Sequence, residues 1–280
     1  MTVSTSNQVA KHRQRIAMRF SLRWACFAMA VTAIVFAAVH YGLRAHAWAK
    51  RTETTNDLRS IAHALRMYSE TNNCLPSPIR YANRLDTVIG SQEDLTAEQL
   101  CSWRFAIIPY LAHYHLEVPF GQRWDSPACA PWRTIPQPFA YDGWGDGAFD
   151  KRTPSSVPNV TRVVAITGPG TAFGYGRVEA PASLDDIDVD TVLLVEIRDS
   201  GLHWMEPGDF DIRTMPRSIN SANGRGISSV HKTGFHVVFA DGTVWFLRND
   251  VPFDQLSLFF TIAGARRSDR DIVLRPYLHD

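Results

Sequence analysis

The sequence predicts an α+β protein in which one long N-terminal helix precedes a body built mainly from antiparallel strands. Helical signals dominate the start of the chain and strand signals its second half, without the regular strand–helix alternation of a parallel α/β sheet. Two of the strand signals are joined by Asp241-Gly242. Asp-Gly between apolar runs is a strong hairpin signal because both residues tolerate the positive φ of a tight turn.

Composition excludes several classes of protein. The chain has 280 residues, of which 45% are hydrophobic and 20% are charged, so it is neither disordered nor a polytopic membrane protein. The net charge of +1 offers no electrostatic argument for nucleic acid, and we expect no nucleic-acid partner.

The first helical signal is an apolar segment at residues 24–43, which contains no Asp, Glu, Lys or Arg. Twenty residues at about 1.5 Å each span the roughly 30 Å hydrocarbon core of a bilayer. Basic residues are in excess before the segment, which predicts a cytoplasmic arm at residues 1–23 and an exported body at residues 44–280. We therefore expect a single-pass protein of the inner (cytoplasmic) membrane.

The end of the apolar segment leaves two fates open. Ala45-His46-Ala47 is an A-x-A sequence of the kind that signal peptidase cleaves. The apolar stretch is longer than a usual signal-peptide core and the arm before it is long, which favours a retained anchor. A size difference between precursor and mature protein would distinguish the two.

A second helical signal follows directly, because apolar residues recur at helical spacing between Leu58 and Tyr68 with polar residues between them. No proline or glycine interrupts residues 44–73, and Pro76 then stops the pattern. The simplest prediction is one helix, or two nearly collinear ones, from the membrane to about residue 72. The alternative is a membrane helix, a loop and an ordinary core helix.

The body has three strand signals and few helical ones. The strand signals are residues 160–167, residues 191–197 and the hairpin of residues 235–240 and 244–247. The remaining predictions are a short buried helix or helix-turn at residues 103–114, long surface loops at residues 117–160 and a final helix at residues 254–263.

His231, nine intervening residues and Asp241-Gly242 form the stretch HKTGFHVVFADG. The chain here resembles the planctomycete-type, pilin-like H-x9-DG proteins, whose prepilin-type processing-associated H-X9-DG domain is a domain of unknown function. Further matching stretches, between about residues 56 and 264, are LRSIAHALRMYSETNNCLP, SWRFAIIPYL, RWDSP, VVAITGPGTAFG, TVLLVEIRDSGLHWMEPGDF and FADGTVWFLRND.

The resemblance implies a pilin-like fold, similar in plan to the pseudopilins of type II secretion. In that fold a long N-terminal transmembrane helix continues into a soluble helix that packs on an antiparallel sheet. The family has no established enzymatic activity, so the resemblance implies a protein that is not an enzyme.

The chain departs from prepilin-type members at the peptidase site. Arg19 stands where those members have glycine, and Trp24 stands where they have a glutamate at the fifth mature position. That glutamate supplies a charge for pairing between filament subunits. We therefore interpret the chain as a pilin-like membrane protein that need not be a pilus subunit.

Two interpretations of the motif residues are open. His231 and Asp241 are residue types suited to acid–base catalysis or ligand binding. In the structural interpretation, Asp241 and Gly242 form the hairpin turn and His231 bonds a loop carbonyl that fixes the hairpin. The turn alone accounts for Asp241, which favours the structural interpretation. No catalytic residue, metal site or cofactor is predicted.

The exported part contains Cys74, Cys101 and Cys129, and one disulfide can form between them in an oxidising compartment. Three pairings are possible and the sequence does not choose among them. The fourth cysteine, Cys26, lies in the membrane segment.

Two clusters of polar residues have simple interpretations. Asp142, Asp146 and Asp150 lie in a glycine-rich stretch that suits calcium, but the EF-hand pattern is absent and solvated loop carboxylates are the simpler interpretation. His203 and Glu206 fall far short of a zinc signature, which favours packing.

Three functions compete. The leading hypothesis is a non-enzymatic, pilin- or pseudopilin-like membrane protein of the cell envelope with a structural or interaction role. Its partners would be the membrane and envelope proteins or a secretion or pilus-like assembly. Another hypothesis is an uncharacterised envelope hydrolase, which needs a concave pocket joining His231 to another acid or nucleophile.

The alternative to the leading hypothesis that ranks above the hydrolase is a membrane-tethered binding module for a peptide or glycan. Clustered, exposed tryptophans would favour it and buried ones would count against it. The candidates are Trp124, Trp132, Trp144 and Trp204.

Overall fold

A computed structural model of the chain describes residues 4–77, 79–81, 100–111, 122–134, 159–174, 180–221 and 226–279. The chain divides into two compact units, Met1–Ala49 and Lys50–Asp280.

Helix α1 runs without a break from Ser4 to Asn72. Its course agrees with the prediction of one helix that ends near residue 72, and the alternative with an intervening loop is not what forms. Asn73 follows with a φ of 58°. A left-handed residue just beyond the last turn is a common helix end, and asparagine adopts it more readily than most residues.

The part of α1 that lies in the first unit exposes its large apolar side chains from residue 24 onward, and Phe36 is 72% exposed. Helix α1 is long and apolar enough to cross a membrane. A long run of exposed apolar side chains is characteristic of a segment that faces lipid or a partner.

The second unit contains a small hairpin and a larger sheet. In the small hairpin, β1 (Ile79–Tyr81) pairs with β2 (Leu100–Ser102) antiparallel. In the part of the chain that the structure describes, the larger sheet has the strand order β5-β3-β4-β6-β7. Its strands are β3 (Val163–Thr167), β4 (Val192–Glu196), β5 (Phe210–Asp211), β6 (Gly234–Phe239) and β7 (Val244–Arg248).

The predicted strands and hairpin form, but the sheet is mixed where the sequence predicted an antiparallel one. Strands β3, β4, β6 and β7 pair antiparallel, whereas β5 pairs with β3 in parallel. Strand β5 has only two residues, too few to show the period of two by which a strand is recognised in a sequence.

The helices in the described part of the second unit are short. They are α2 (Trp103–Ala106), α3 (Ala130–Arg133), α4 (Phe253–Ser257), α5 (Ile262–Ala265) and α6 (Arg270–Val273), with 3-10 turns at Ile108–Tyr110, Pro127–Cys129, Leu184–Asp186 and Arg275–Tyr277.

The single final helix predicted at residues 254–263 is wrong, because α4 and α5 divide that stretch. Thr261 between them has an extended backbone, and its hydroxyl accepts a hydrogen bond from the N–H of Gly264. Threonine is a favoured N-cap, so a new helix begins there.

The sheet of the second unit is buried on both faces. Val163 and Ala165 of β3 contribute to a core that includes Leu58, Ile61 and Leu65 of α1. The alternate residues of β3 contribute to a second core with the C-terminal helices. Strands covered on both faces read as continuous apolar runs, which is how β3 and β4 look in the sequence.

Candidate functional site

The H-x9-DG motif extends along β6 from one end to the other. His231 lies three residues before β6, and Asp241-Gly242 lies in the turn after it. A six-residue strand at about 3.3 Å per residue is about 20 Å long, so the two ends are far apart. His231 and Asp241 therefore do not form an acid–base pair, and each belongs to a different set of contacts.

Asp241 and Gly242 form a turn that is tied to helix α6. Gly242 has a φ of 84°. Asp241 Oδ1 accepts hydrogen bonds from the N–H of Thr243 at 2.8 Å and from its hydroxyl at 2.7 Å. Arg270 of α6 forms an ion pair with Asp241 and a second one, at 3.1 Å, with Asp190. The turn thus joins three segments that are remote in sequence.

The charge of Asp241 is stabilised by these contacts. Burial raises the pKa of the Asp241 carboxyl, but the hydrogen bonds from Arg270 and Thr243 outweigh burial and hold that pKa below its usual value. The Asp241 carboxylate is therefore a structural anion of the turn.

His231 lies at the other end of β6 and contacts α1. Its Nε2 lies 3.2 Å from the hydroxyl oxygen of Thr54, and its backbone N–H donates to the Ser229 hydroxyl at 3.1 Å. The sequence suggested a loop carbonyl as the partner of this imidazole. The structure shows a helix hydroxyl beside this imidazole, because α1 packs over this end of the sheet.

His236 of β6 lies beside Glu196 at the end of β4. Its Nδ1 is 2.9 Å from Glu196 Oε2, and its backbone N–H donates to the same oxygen at 2.7 Å. Its Nε2 is 3.0 Å from the hydroxyl oxygen of Thr55. The side chain of His236 therefore joins strand β4 to helix α1.

Glu196, His231 and His236 form one group, the His–Glu cluster. One nitrogen or oxygen from each side chain lies within 4.8 Å of the other two. The three residues are 3%, 6% and 0% exposed, respectively. Two imidazoles and a carboxylate in such a space can hold a metal ion or share a proton.

Strand pairing explains how the His–Glu cluster forms. Strand β6 pairs with β4 so that Val237 lies opposite Val195, which brings His236 beside Glu196. Phe246 of β7 lies opposite His236, and its ring centroid is 4.7 Å from that of His236 and 5.6 Å from that of His231. The cluster is thus enclosed by two strands, an aromatic ring and α1.

The carboxyl group of the cluster is charged despite its burial. Burial raises the pKa of Glu196, and this is the largest single influence. The attraction and hydrogen bonds of His236, with the attraction of His231, together outweigh burial and hold that pKa below its usual value. A buried carboxylate in this state is stabilised by its positive partners and hydrogen bonds.

A second buried polar centre joins α2 to the sheet. Arg104 forms an ion pair of 2.8 Å with Asp209, whose Oδ1 also accepts from the Trp103 indole at 3.0 Å and from the Ala165 N–H at 2.7 Å. Burial lowers the pKa of Arg104 and raises the pKa of Asp209, and in each case it outweighs the attraction between them. This pair orients α2 and β3.

The cysteines do not pair in this structure. Cys101 and Cys129 are buried, and Cys74 is half-buried. No disulfide joins any two of these three residues, all of which lie in described segments. The possible disulfide stays a prediction.

Other predicted candidates have structural surroundings or lie outside the described residues. The latter group is Asp142, Asp146, Asp150 and Trp144. Trp204 is fully buried, and Trp124 stacks on His203 with ring centroids 5.4 Å apart. Trp124 and Trp204 are therefore packing residues, which counts against a tryptophan-lined binding surface.

His203 illustrates an ordinary buried histidine. Its Nδ1 accepts from the N–H of Met205 at 3.2 Å, and its Nε2 donates to the carbonyl of Arg133 at 3.2 Å. Burial lowers the pKa of His203 and keeps the ring neutral. Both ring nitrogens are thus used by backbone groups.

Sequence reasoning missed four residues of the site, namely Glu196, His236, Thr54 and Thr55. A signal existed for Glu196, since a carboxylate inside the apolar run TVLLVEI is costly unless it is paired. His236 had the weaker signal of a second histidine five residues after His231 in a strand. The two threonines could not be identified, because only the packing of α1 shows what they contact.

Comparison of the chain with family models, curated proteins and solved structures finds no match in any of the three. The fold and the His–Glu cluster define an α+β protein with a potential membrane-spanning helix and a buried polar centre.

Proposed function

We propose that the chain is a membrane-anchored, pilin-like protein of the cell envelope with a non-enzymatic, structural or interaction role. The observation that carries this proposal is the composition of α1. One uninterrupted helix has an exposed apolar stretch at residues 24–43 and a buried stripe, from Leu58 to Tyr68, in the core of the second unit.

The basic arm at residues 1–23 supports a cytoplasmic N-terminus, and with it an exported body and an inner-membrane location. A helix that packs on a largely antiparallel sheet supports the pilin-like description. Arg19 and Trp24 stand where processed filament subunits have glycine and glutamate, which favours an uncut anchor.

The surroundings of the family motif support a non-enzymatic role. Asp241 is held by Arg270 and Thr243, and His231 is buried against Thr54. Both residues stabilise the fold of the hairpin and its neighbours, and His231 is buried away from solvent.

Membrane extraction and protease accessibility test the anchor. We expect the full chain, expressed in a Gram-negative host, to resist alkaline carbonate extraction and to lose its body to protease added outside spheroplasts. The double change Ile34→Asp and Phe36→Asp should release it, because each central Asp costs about 3 kcal/mol of insertion free energy.

Ile272 provides a matched control for that experiment. It is 74% exposed in the second unit, close to the 72% of Phe36 in the first. Ile272→Asp should leave extraction unchanged. A double variant that stays in the membrane pellet, or a body digested only after lysis, would contradict the proposal.

Affinity capture from solubilised membranes with mass spectrometry tests the interaction role. We expect the full chain to recover envelope proteins, among them components of a secretion or pilus-like assembly, and the released double variant to lose them. Recovery of the same proteins by both forms, or of none by either, would contradict the role.

A further inference from the structure

We propose that Glu196, His231 and His236 bind one divalent transition-metal ion, with zinc as the best fit, in the interior of the second unit. This inference does not depend on the proposed function. It rests on the spacing, the burial and the hydrogen-bond partners of the three side chains.

The contact with Thr55 indicates which ring nitrogen of His236 carries a proton. The Thr55 hydroxyl donates its single proton to the carbonyl of Arg51 at 2.9 Å. Its oxygen therefore accepts a hydrogen bond from His236, 3.0 Å away, so Nε2 of His236 carries a proton. In a neutral imidazole the lone pair is then on Nδ1, the nitrogen 2.9 Å from Glu196.

A neutral His236 would place a lone pair against an ionised carboxylate. Two acceptors at 2.9 Å repel each other unless a cation lies with them. That cation is either a proton, which makes His236 an imidazolium, or a metal ion coordinated by both atoms. The second imidazole offers a metal ion a third ligand.

Thr54 makes the corresponding contact with His231. Its hydroxyl donates to the carbonyl of Lys50 at 3.2 Å, and its oxygen lies 3.2 Å from Nε2 of His231. With the Thr54 proton on that carbonyl, Nε2 of His231 donates to the hydroxyl oxygen. A shared proton would join one imidazole to the carboxylate, whereas a metal ion would be held by all three side chains of the cluster.

The geometry and chemistry of the three groups fit zinc. At metal–ligand distances of about 2.0–2.2 Å, tetrahedral ligand atoms lie about 3.4 Å apart. The cluster's ligand atoms lie within 4.8 Å of one another, so small rotations of the side chains would bring them to that spacing. Two imidazoles and one carboxylate are a known zinc set, and imidazole favours zinc, copper or nickel over calcium or magnesium.

The threonines act as the outer ligand shell. Metal-binding histidines usually donate their second N–H to an oxygen that fixes the ring. Here the two acceptors are consecutive residues of α1, each anchored to the carbonyl four residues earlier. A bound ion would therefore join β4, β6 and α1, and the burial of all three ligands favours a structural ion.

Zinc binding by the full chain tests the site. The untagged protein in detergent is stripped with EDTA and titrated with zinc against a chromophoric chelator. We expect one zinc ion per chain and a higher melting temperature with zinc. Absence of stoichiometric binding to the wild-type chain would overturn the proposal and leave the shared proton as the cation.

Two variants locate the ion. Glu196→Gln and His236→Gln should each weaken zinc binding at least 100-fold. His203→Gln is the matched control, because His203 is equally buried but uses both ring nitrogens on backbone groups. Equal zinc binding by wild type and Glu196→Gln would overturn the proposal.

A measurement on the wild-type chain covers the case in which the variants fail to fold. Zinc X-ray absorption should show two imidazole nitrogens and carboxylate oxygen as ligands. A spectrum with thiolate sulfur would place the ion at the cysteines and overturn the assignment.

Discussion

Thr54 and Thr55 of α1 each have one hydroxyl proton, and a carbonyl of the same helix accepts it. Because Thr54 and Thr55 donate to the carbonyls four residues earlier, they meet the two imidazoles only as acceptors. Two consecutive residues of α1 thus place hydroxyl oxygens beside a buried centre that is distant in sequence.

Replacement of Thr55 tests this coupling. Thr55→Val should lower the free energy of unfolding by about 1–3 kcal/mol, because it leaves a buried N–H of His236 without an acceptor. Thr55→Ser keeps the hydroxyl and should stay close to wild type. Urea unfolding followed by tryptophan fluorescence compares them, and equal midpoints for Val and Ser would show that the bond contributes nothing.

The pKa of Asp241 makes stability depend on pH. Because that pKa is held below its usual value of 3.8 in the folded chain, the unfolded chain takes up a proton first as pH falls. The contribution of Asp241 is complete above about pH 5 and decreases as pH falls through 3.8 towards the folded pKa.

We therefore expect Asp241→Asn to be less stable than wild type at pH 7 and to approach it as pH falls below 4. Chemical unfolding across this pH range measures the difference. Asp250→Asn is the control, since Asp250 pairs with Arg248 at an exposed position where salt bridges contribute little. A difference for Asp241→Asn that does not change with pH would contradict the assignment.

The ion pair of Arg104 and Asp209 joins helix α2 to strand β3, and its burial keeps solvent from screening the two charges. Arg104→Met or Asp209→Leu alone should lower the free energy of unfolding by about 3–5 kcal/mol, since each leaves an unpaired buried charge. The double variant should lose much less than the sum of the two. Additive losses in a urea double-mutant cycle would show that the two side chains act independently.

How far the sequence predicts an element depends on whether its cause is local. The β6–β7 hairpin was predictable because Asp241-Gly242 determines the turn, and α1 because nothing in it breaks a helix. Strand β5 was not, because pairing with β3 creates it. The cap at Thr261 is a local hydrogen bond to the N–H of Gly264, which the prediction of one final helix overlooked. The His–Glu cluster was predictable only as His231, since its other members meet through strand register.

The whole chain divides at Ala49, and this has a testable consequence. All the described buried apolar residues lie at Leu58 or beyond, so a chain that starts at Lys50 should keep a folded body. A chain that starts at Cys74 lacks the stripe of α1 and should lose cooperative unfolding. Near-ultraviolet circular dichroism and urea titration compare them, and loss of structure in the longer form would contradict the division.

The contacts of Thr54 and Thr55 also impose an order on biosynthesis. They join positions 177 and 181 residues apart in the chain. A ribosome makes α1 early and β6 late, so the apolar stripe of α1 has no native sheet to cover it for most of translation. Contacts this distant in sequence slow folding and leave apolar surface exposed meanwhile. We therefore expect the nascent chain to depend on a chaperone until β6 has been made.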